Sequence, residues 1–338
     1  MRAGATFRIR WIWIRRGNGW HYTAAQGARR AVALRASPPG GILIQGHFPP
    51  VPTPFSGGLV SVEAFRENLE RWNEDPIDGY VVLGSNGEAP LLDDHERQCV
   101  VRVAWETLRA GRKLIVGAGR ESTRGTIRSV KEAFDLGADA ALVGVPCYYR
   151  PAMTEAVLRD HYLRVADASP GPLLLYSVPA FTGIPIGHAL FGDLSRHERV
   201  SGIKDSSGDP ASIVSLVAAA AAAGRESSIL VGNASALAEG LIAGAAGSVL
   251  AVTCVAPDRI RQIGAHVAAG RAEEARRLNS EIAPLAGAVT KIHGIGGLKA
   301  ALELRGFHGG APRPPLPPAD ASGRADIAAM MTALGILS

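Results

Sequence analysis

The chain has 338 residues, 47% hydrophobic and 20% charged, a composition that supplies a sizeable core and excludes general disorder. Its pI of about 9.3 arises in residues 1–45, which hold eight arginines and no acidic residue; setting those eight against the formal charge of +5 leaves the remainder near −3. A basic face on the folded body is thereby excluded, and with it a nucleic-acid role.

Residues 1–41 are Arg-rich and acid-free, as organelle transit peptides are, but contain one serine and apolar runs broken by arginine. An Arg/Ala/Gly-heavy stretch upstream of a misassigned start in a GC-rich gene has the same look, and this is the favoured reading. Either way, residues 1–41 are expected to stand outside the fold. The expected compartment is the cytoplasm, or the mitochondrial matrix if they act as a transit peptide.

From residue 42 onward, short β-branched runs alternate with longer amphipathic segments, the sign of repeated βα units and a parallel sheet. Eight runs are predicted as strands: 42–51, 79–83, 114–118, 140–145, 173–178, 200–204, 228–231 and 247–251. Each is nearly continuously apolar, as strands covered on both faces are. The segments SVEAFRENLERWNE, DDHERQCVVRVAWETLRAG, STRGTIRSVKEAFDLGA and TEAVLRDHYLRVADAS between them read as helices, several opening with Ser, Thr or Asp. Eight strands each followed by a helix predict a (β/α)8 barrel over residues 42–256 rather than an open doubly wound sheet. Residues 257–338 read as a helical region packed on the barrel, interrupted by an extended proline-rich stretch, APRPPLPPAD.

Lysine is scarce, five in all, so each can be weighed. Lys113 precedes a strand at the barrel's non-catalytic face, Lys131 lies on a solvated helix, and Lys291 and Lys299 belong to the C-terminal helices. Lys204 alone ends an apolar strand, VSGIK, and leads into a polar turn, DSSGD, which places it at the C-terminal mouth where barrel enzymes keep their sites. A lysine in a barrel interior loses hydration, which disfavours its charged form and enlarges the neutral fraction that attacks ketones. The competing reading pairs Lys204 with Asp205 at a strand end.

Three further groups face the same mouth. Gly84-Ser85-Asn86-Gly87-Glu88 follows the second strand, and its glycines let N–H and hydroxyl groups converge on a carboxylate, although a bare turn has the same pattern. Glu88 itself reads as a turn partner rather than a catalytic acid. Tyr176 ends the fifth strand and is either a proton shuttle or a buried ring with a satisfied hydroxyl. The tyrosines of PCYYRP, residues 146–151, are packing or site residues.

Other chemistry is not indicated. Gly117-Ala118-Gly119 lacks the third glycine of a dinucleotide fingerprint, Ser122 standing there instead. Nine histidines show no ligand spacing, and Cys99, Cys147 and Cys254 form no CxxC pair, so neither a metal nor a disulfide framework is expected. No charge-free apolar stretch of membrane-spanning length lies outside the Ala-rich segments.

Taken together, PPVPTPF, GSNGE, PCYYRP, YSVPAFTG, GIKDSSGD and GIGGLKAAL resemble the dihydrodipicolinate synthase/N-acetylneuraminate lyase superfamily over residues 46–337. Within it the chain looks closest to 4-hydroxy-2-oxoglutarate aldolase, on GSNGE, PCYYR, YSVPAxTG and KDSxGD. The resemblance implies that Lys204 forms the Schiff base and Tyr176 transfers protons. It also implies that Ser85, Asn86 and Gly87 hold the substrate's carboxylate and hydroxyl relay, with Ser206 and Ser207 beside the lysine. Tyr148 matches a tyrosine that reaches across a dimer interface, so the implied assembly is a homotetramer built as a dimer of dimers. The implied partner is a small 2-oxo acid, with no cofactor and no metal. Phe181 stands where dihydrodipicolinate synthases carry a carboxylate-binding arginine, and a neutral aromatic cannot make that bidentate bond. Lysine biosynthesis is therefore disfavoured; the alternatives are dihydrodipicolinate synthase or another pyruvate-dependent lyase or dehydratase of the superfamily and, from a different class, a barrel that binds 2-oxo acids without turnover.

Overall fold

The computed structural model describes residues 43–337 in full, and residues 11–16 and 19–24 as backbone elements only. The chain divides into two units, residues 1–35 and 36–338. In the first, Trp11–Arg16 and Gly19–Ala24 pair antiparallel, Trp11 opposite Ala24. The expectation that residues 1–41 stand apart otherwise lies outside the described residues.

In the second unit eight parallel strands carry the fold: β1 (Gly46–His47), β2 (Gly79–Val82), β3 (Lys113–Gly117), β4 (Ala140–Gly144), β5 (Leu173–Ser177), β6 (Val200–Asp205), β7 (Ser228–Val231) and β8 (Gly247–Ser248). From β2 on, each hydrogen-bonds to the next in chain order, and β8 returns to β1. Closure between β1 and β2 is a single parallel bridge, Pro50 to Val81. The expected strand 42–51 is thus cut to two residues, because Pro49, Pro50 and Pro52 have no N–H to give a ladder. Carbonyls serve instead: Val81 N donates to Pro49 O, and Val51 N donates to Val81 O, both at 3.0 Å.

A helix follows each strand: α1 (Val62–Trp72), α2 (Asp94–Thr107), α3 (Thr123–Asp135), α4 (Glu155–Ala168), α5 (His188–Leu194), α6 (Pro210–Ala222), α7 (Leu237–Ile242) and α8 (Pro257–Ala268), the four quoted segments forming α1 to α4. Asp93 and Glu96 close a capping box on α2, and the Ser122 and Thr154 hydroxyls accept N–H groups of α3 and α4. Beyond them α9 (Ala272–Gly287), α10 (Gly294–Leu304) and α11 (Ala321–Ala333) bury Ile282, Leu285, Leu298, Ala301, Ile327 and Met331. The proline-rich stretch makes a turn, Leu316 N to Arg313 O at 3.1 Å, rather than a continuous extended run.

Side chains alternate across the strands and build two apolar layers. Ile44, Phe48, Val81, Ile115, Leu142, Leu174, Tyr176 and Leu230 fill the barrel. Tyr80, Val82, Leu114, Val116, Val143, Leu173, Leu175, Ile203 and Ile229 face the helices. Glycine is required where strands come closest: a Cβ on Gly79, at φ +148°, would sit 1.9 Å from Lys113 O. Among the described residues no helix is long and apolar enough to cross a membrane.

Candidate active site

The alternation that puts Ile203 outside β6 puts Lys204 inside it, and Asp205 outside again. Lys204 is 4% exposed. Asp205 does not pair with it: its carboxylate accepts Ser207 N at 2.9 Å, Ser207 Oγ at 2.8 Å and Ser212 Oγ at 2.7 Å, all on the helix side. Among the described residues no carboxylate pairs with Lys204.

Parallel register sets what faces the amine. Lys204 is level with Tyr176 on β5, and its Nζ lies 4.2 Å from the centre of the Tyr176 ring. Tyr176, 9% exposed, carries its hydroxyl 3.2 Å from Ser85 Oγ. Ser85 belongs to the turn after β2, where Leu83 takes φ +55° and Glu88 φ +56°. Within that turn Gly87 N and Ala89 N donate to Gly84 O, and Glu88 N donates to Ser85 O. Among the described residues the Ser85 and Asn86 N–H groups have no protein acceptor. Thr53 Oγ1 donates to Gly87 O at 2.8 Å and ties the turn to the loop after β1.

Lys204, Tyr176 and Ser85 are therefore brought together, with Asn86 and Gly87 on the same turn. The other expected site residues stand farther from that centre. Ser206 donates through N to Ser177 O at 2.9 Å and through Oγ to Gly232 O at 3.3 Å, beside the lysine strand. The Ser207 hydroxyl is committed to Asp205. Phe181 and Tyr148 are 69% and 78% exposed in the single chain. Tyr148 stacks edge-on against Tyr149, centroids 5.0 Å apart, and the Glu121 carboxylate holds its loop by accepting Cys147 N at 3.0 Å and Tyr148 N at 2.9 Å.

Sequence reasoning assigned Lys299 to the C-terminal helices and no role beyond that. It is the second buried lysine, 1% exposed, with Nζ 2.6 Å from Glu88 Oε1. Burial pushes its ammonium below the ordinary lysine range, and the Glu88 carboxylate opposes that shift. Glu88 is a turn partner, as read from the sequence. Thr53, in the quoted PPVPTPF run, was also missed, its only signal being a lone polar residue between prolines. No group of three or more metal-binding side chains gathers among the described residues.

A buried primary amine without a carboxylate partner, next to a phenol that bonds a serine hydroxyl, is equipped for attack on a carbonyl and for proton transfer. The fold is that of barrel enzymes, which keep their chemistry at the C-terminal mouth. The model of the dihydrodipicolinate synthetase family matches residues 43–334. An uncharacterized DapA-like lyase of Halobacterium salinarum is 34% identical over 295 residues, 87% of this chain and 95% of its own. A 4-hydroxy-tetrahydrodipicolinate synthase of an Exiguobacterium species is 32% identical over 282 residues, 82% of this chain and 94% of its own. The dihydrodipicolinate synthase of Acinetobacter baumannii, solved with pyruvate, superposes with a TM-score of 0.80 at 29% identity, covering 87% of this chain and all of that one. The chain belongs to the dihydrodipicolinate synthetase family and is a lyase of that family.

Proposed function

We propose that the protein is a Schiff-base aldolase that cleaves 4-hydroxy-2-oxoglutarate to pyruvate and glyoxylate. The observation that carries this reading is the buried, carboxylate-free amine of Lys204 over Tyr176, whose hydroxyl meets Ser85 on a turn with two unclaimed N–H groups.

The Lys204 amine attacks the C2 ketone and expels water, forming an imine. Once protonated, the imine accepts the electron pair released when the C3–C4 bond breaks. Tyr176, relayed through Ser85, takes the C4 hydroxyl proton, and glyoxylate leaves. The enamine is then protonated at C3, and hydrolysis frees pyruvate and the amine. Ser85, Asn86 and Gly87 receive the carboxylate next to the ketone, with Ser206 beside the lysine strand and the Ser207 hydroxyl held on Asp205 behind it. Each step closes on side chains and water. Tyr148 is assigned to the site of a second copy, in an assembly of at least two chains and by our reading a dimer of dimers. The compartment is read as cytoplasmic.

The second reading is dihydrodipicolinate synthesis, favoured by the names of the relatives. Phe181 speaks against it, because a neutral ring offers the second substrate's carboxylate no ion pair. One measurement tests the shared mechanism and a second separates the readings. Pyruvate with borohydride should leave a reduced adduct on the wild type and none on Lys204→Ala; an adduct that survives Lys204→Ala removes the mechanism. Glyoxylate release from 4-hydroxy-2-oxoglutarate should then exceed condensation of pyruvate with aspartate semialdehyde, and the reverse order would select the synthase.

A further inference from the structure

Resting on the reading that the turn 84–87 receives the substrate carboxylate, we infer that Lys299, Glu88 and Arg313 are positioning residues that hold this turn in its binding shape. Glu88 closes the turn in the left-handed region, which a residue with a side chain keeps only where its surroundings fix it. Those surroundings come from the far end of the chain. Oε1 of Glu88 meets Lys299 Nζ of α10 at 2.6 Å, and Oε2 accepts the Arg313 N–H at 2.7 Å. Lys299 also donates to Ala311 O at 3.2 Å.

The Arg313 side chain extends the frame. Its guanidinium donates at 2.6 Å to both Glu96 oxygens on α2, at 2.8 Å to Leu91 O just past the turn, and at 2.6 Å to Gly58 O after β1. Lys299 Nζ and Arg313 Cζ each lie 4.4 Å from the centre of the Phe55 ring. Two stretches distant in sequence therefore converge on the residue that ends the turn, and the Phe55 ring packs against both.

Stability alone does not account for such a pair. Desolvating two ions offsets much of their attraction, and an apolar pair of equal volume would pack as well. What the ion pair adds is a fixed separation between two charges, Glu88 Oε1 lying 2.6 Å from Lys299 Nζ. With both carboxylate oxygens engaged at fixed positions, the Glu88 backbone is fixed, and so is the aim of the Ser85 and Asn86 N–H groups that precede it.

The test is a pyruvate titration with borohydride trapping, read by intact-protein mass, on the wild type and on Lys299→Met, Glu88→Gln and Arg313→Ala, all of which retain Lys204. Lys299→Met and Glu88→Gln should raise the half-saturating pyruvate concentration by about tenfold or more, as misplaced binding groups do, and Arg313→Ala by a smaller factor. The adduct at saturating pyruvate should match wild type. Half-saturation at the wild-type value in folded variants, with only the melting temperature lowered, overturns the inference. If Lys299→Met and Glu88→Gln do not fold, the half-buried Arg313 decides, and a wild-type titration of Arg313→Ala overturns the inference. A wild type that traps no pyruvate removes the functional reading and this inference with it, whereas trapping with unchanged variants removes the inference alone.

Discussion

Tyr176 meets two demands with one side chain. Its ring packs inside the barrel against the Lys204 amine, and its hydroxyl reaches Ser85. Tyr176→Phe keeps the ring and removes the hydroxyl, so packing and imine formation should survive while proton transfer fails. Glyoxylate release should fall by about 10²-fold to 10⁴-fold, with pyruvate still trapped on Lys204 by borohydride. A turnover close to wild type would show that some other group moves the proton. Lys204 was legible in the sequence because a strand end is a position of known chemical meaning. Read from the residues alone, Ser85 and Tyr176 stayed open, since a turn and an aromatic strand end each have ordinary structural uses; the resemblance implied their roles, and the structure puts their hydroxyls 3.2 Å apart. Lys299 was not legible, because the carboxylate that makes its burial tolerable lies on a distant segment and no local pattern announces the pair.

Helices α2, α3 and α4 begin where capping chemistry predicts, and local hydrogen bonds explain why those starts could be read. On α2 the Asp93 carboxylate accepts Glu96 N at 2.8 Å, and Glu96 accepts Asp93 N at 3.1 Å. Asp93→Ala should lower stability by about 1 kcal/mol, measurable as a shift of a few °C at most in thermal unfolding. Turnover should stay at wild type. A variant that instead loses activity at unchanged stability would mean that the cap acts on the site through Glu96 and Arg313. Strand β1 was the least legible element. Its apolar run predicts a strand of ten residues, whereas pairing depends on donors that prolines lack, and periodicity does not register donors.

Across the whole molecule, two histidines, His161 buried and His47 partly buried, make stability depend on pH. His161, 4% exposed and 2.9 Å from Thr123 Oγ1, is pushed below its ordinary value of 6.5 by burial, with Asp160 opposing. His47 is lowered by burial first, with Asp78 opposing and Arg261 assisting. Below pH 6.5 the unfolded chain takes up protons that the folded chain refuses, so acidification favours unfolding. Stability should be level above that pH and fall from there toward the depressed folded values. Urea unfolding from pH 7.5 down to about 5.5 should show the decline, and His161→Gln should flatten it. Equal slopes in both proteins would exclude His161 as a source.

The contact between Glu88 and Arg313 spans 225 positions, and this gives the molecule a birth order. On the ribosome the barrel strands emerge first, carrying Lys204, Tyr176 and Ser85 before the segment that braces Glu88 has been translated. A nascent chain arrested before Arg313 would carry Lys204, Tyr176 and Ser85 and still lack the contacts that brace the turn 84–88. On the proposed reading, capture of a dilute 2-oxo acid should therefore tighten only late in synthesis, once the segment that braces Glu88 has been made.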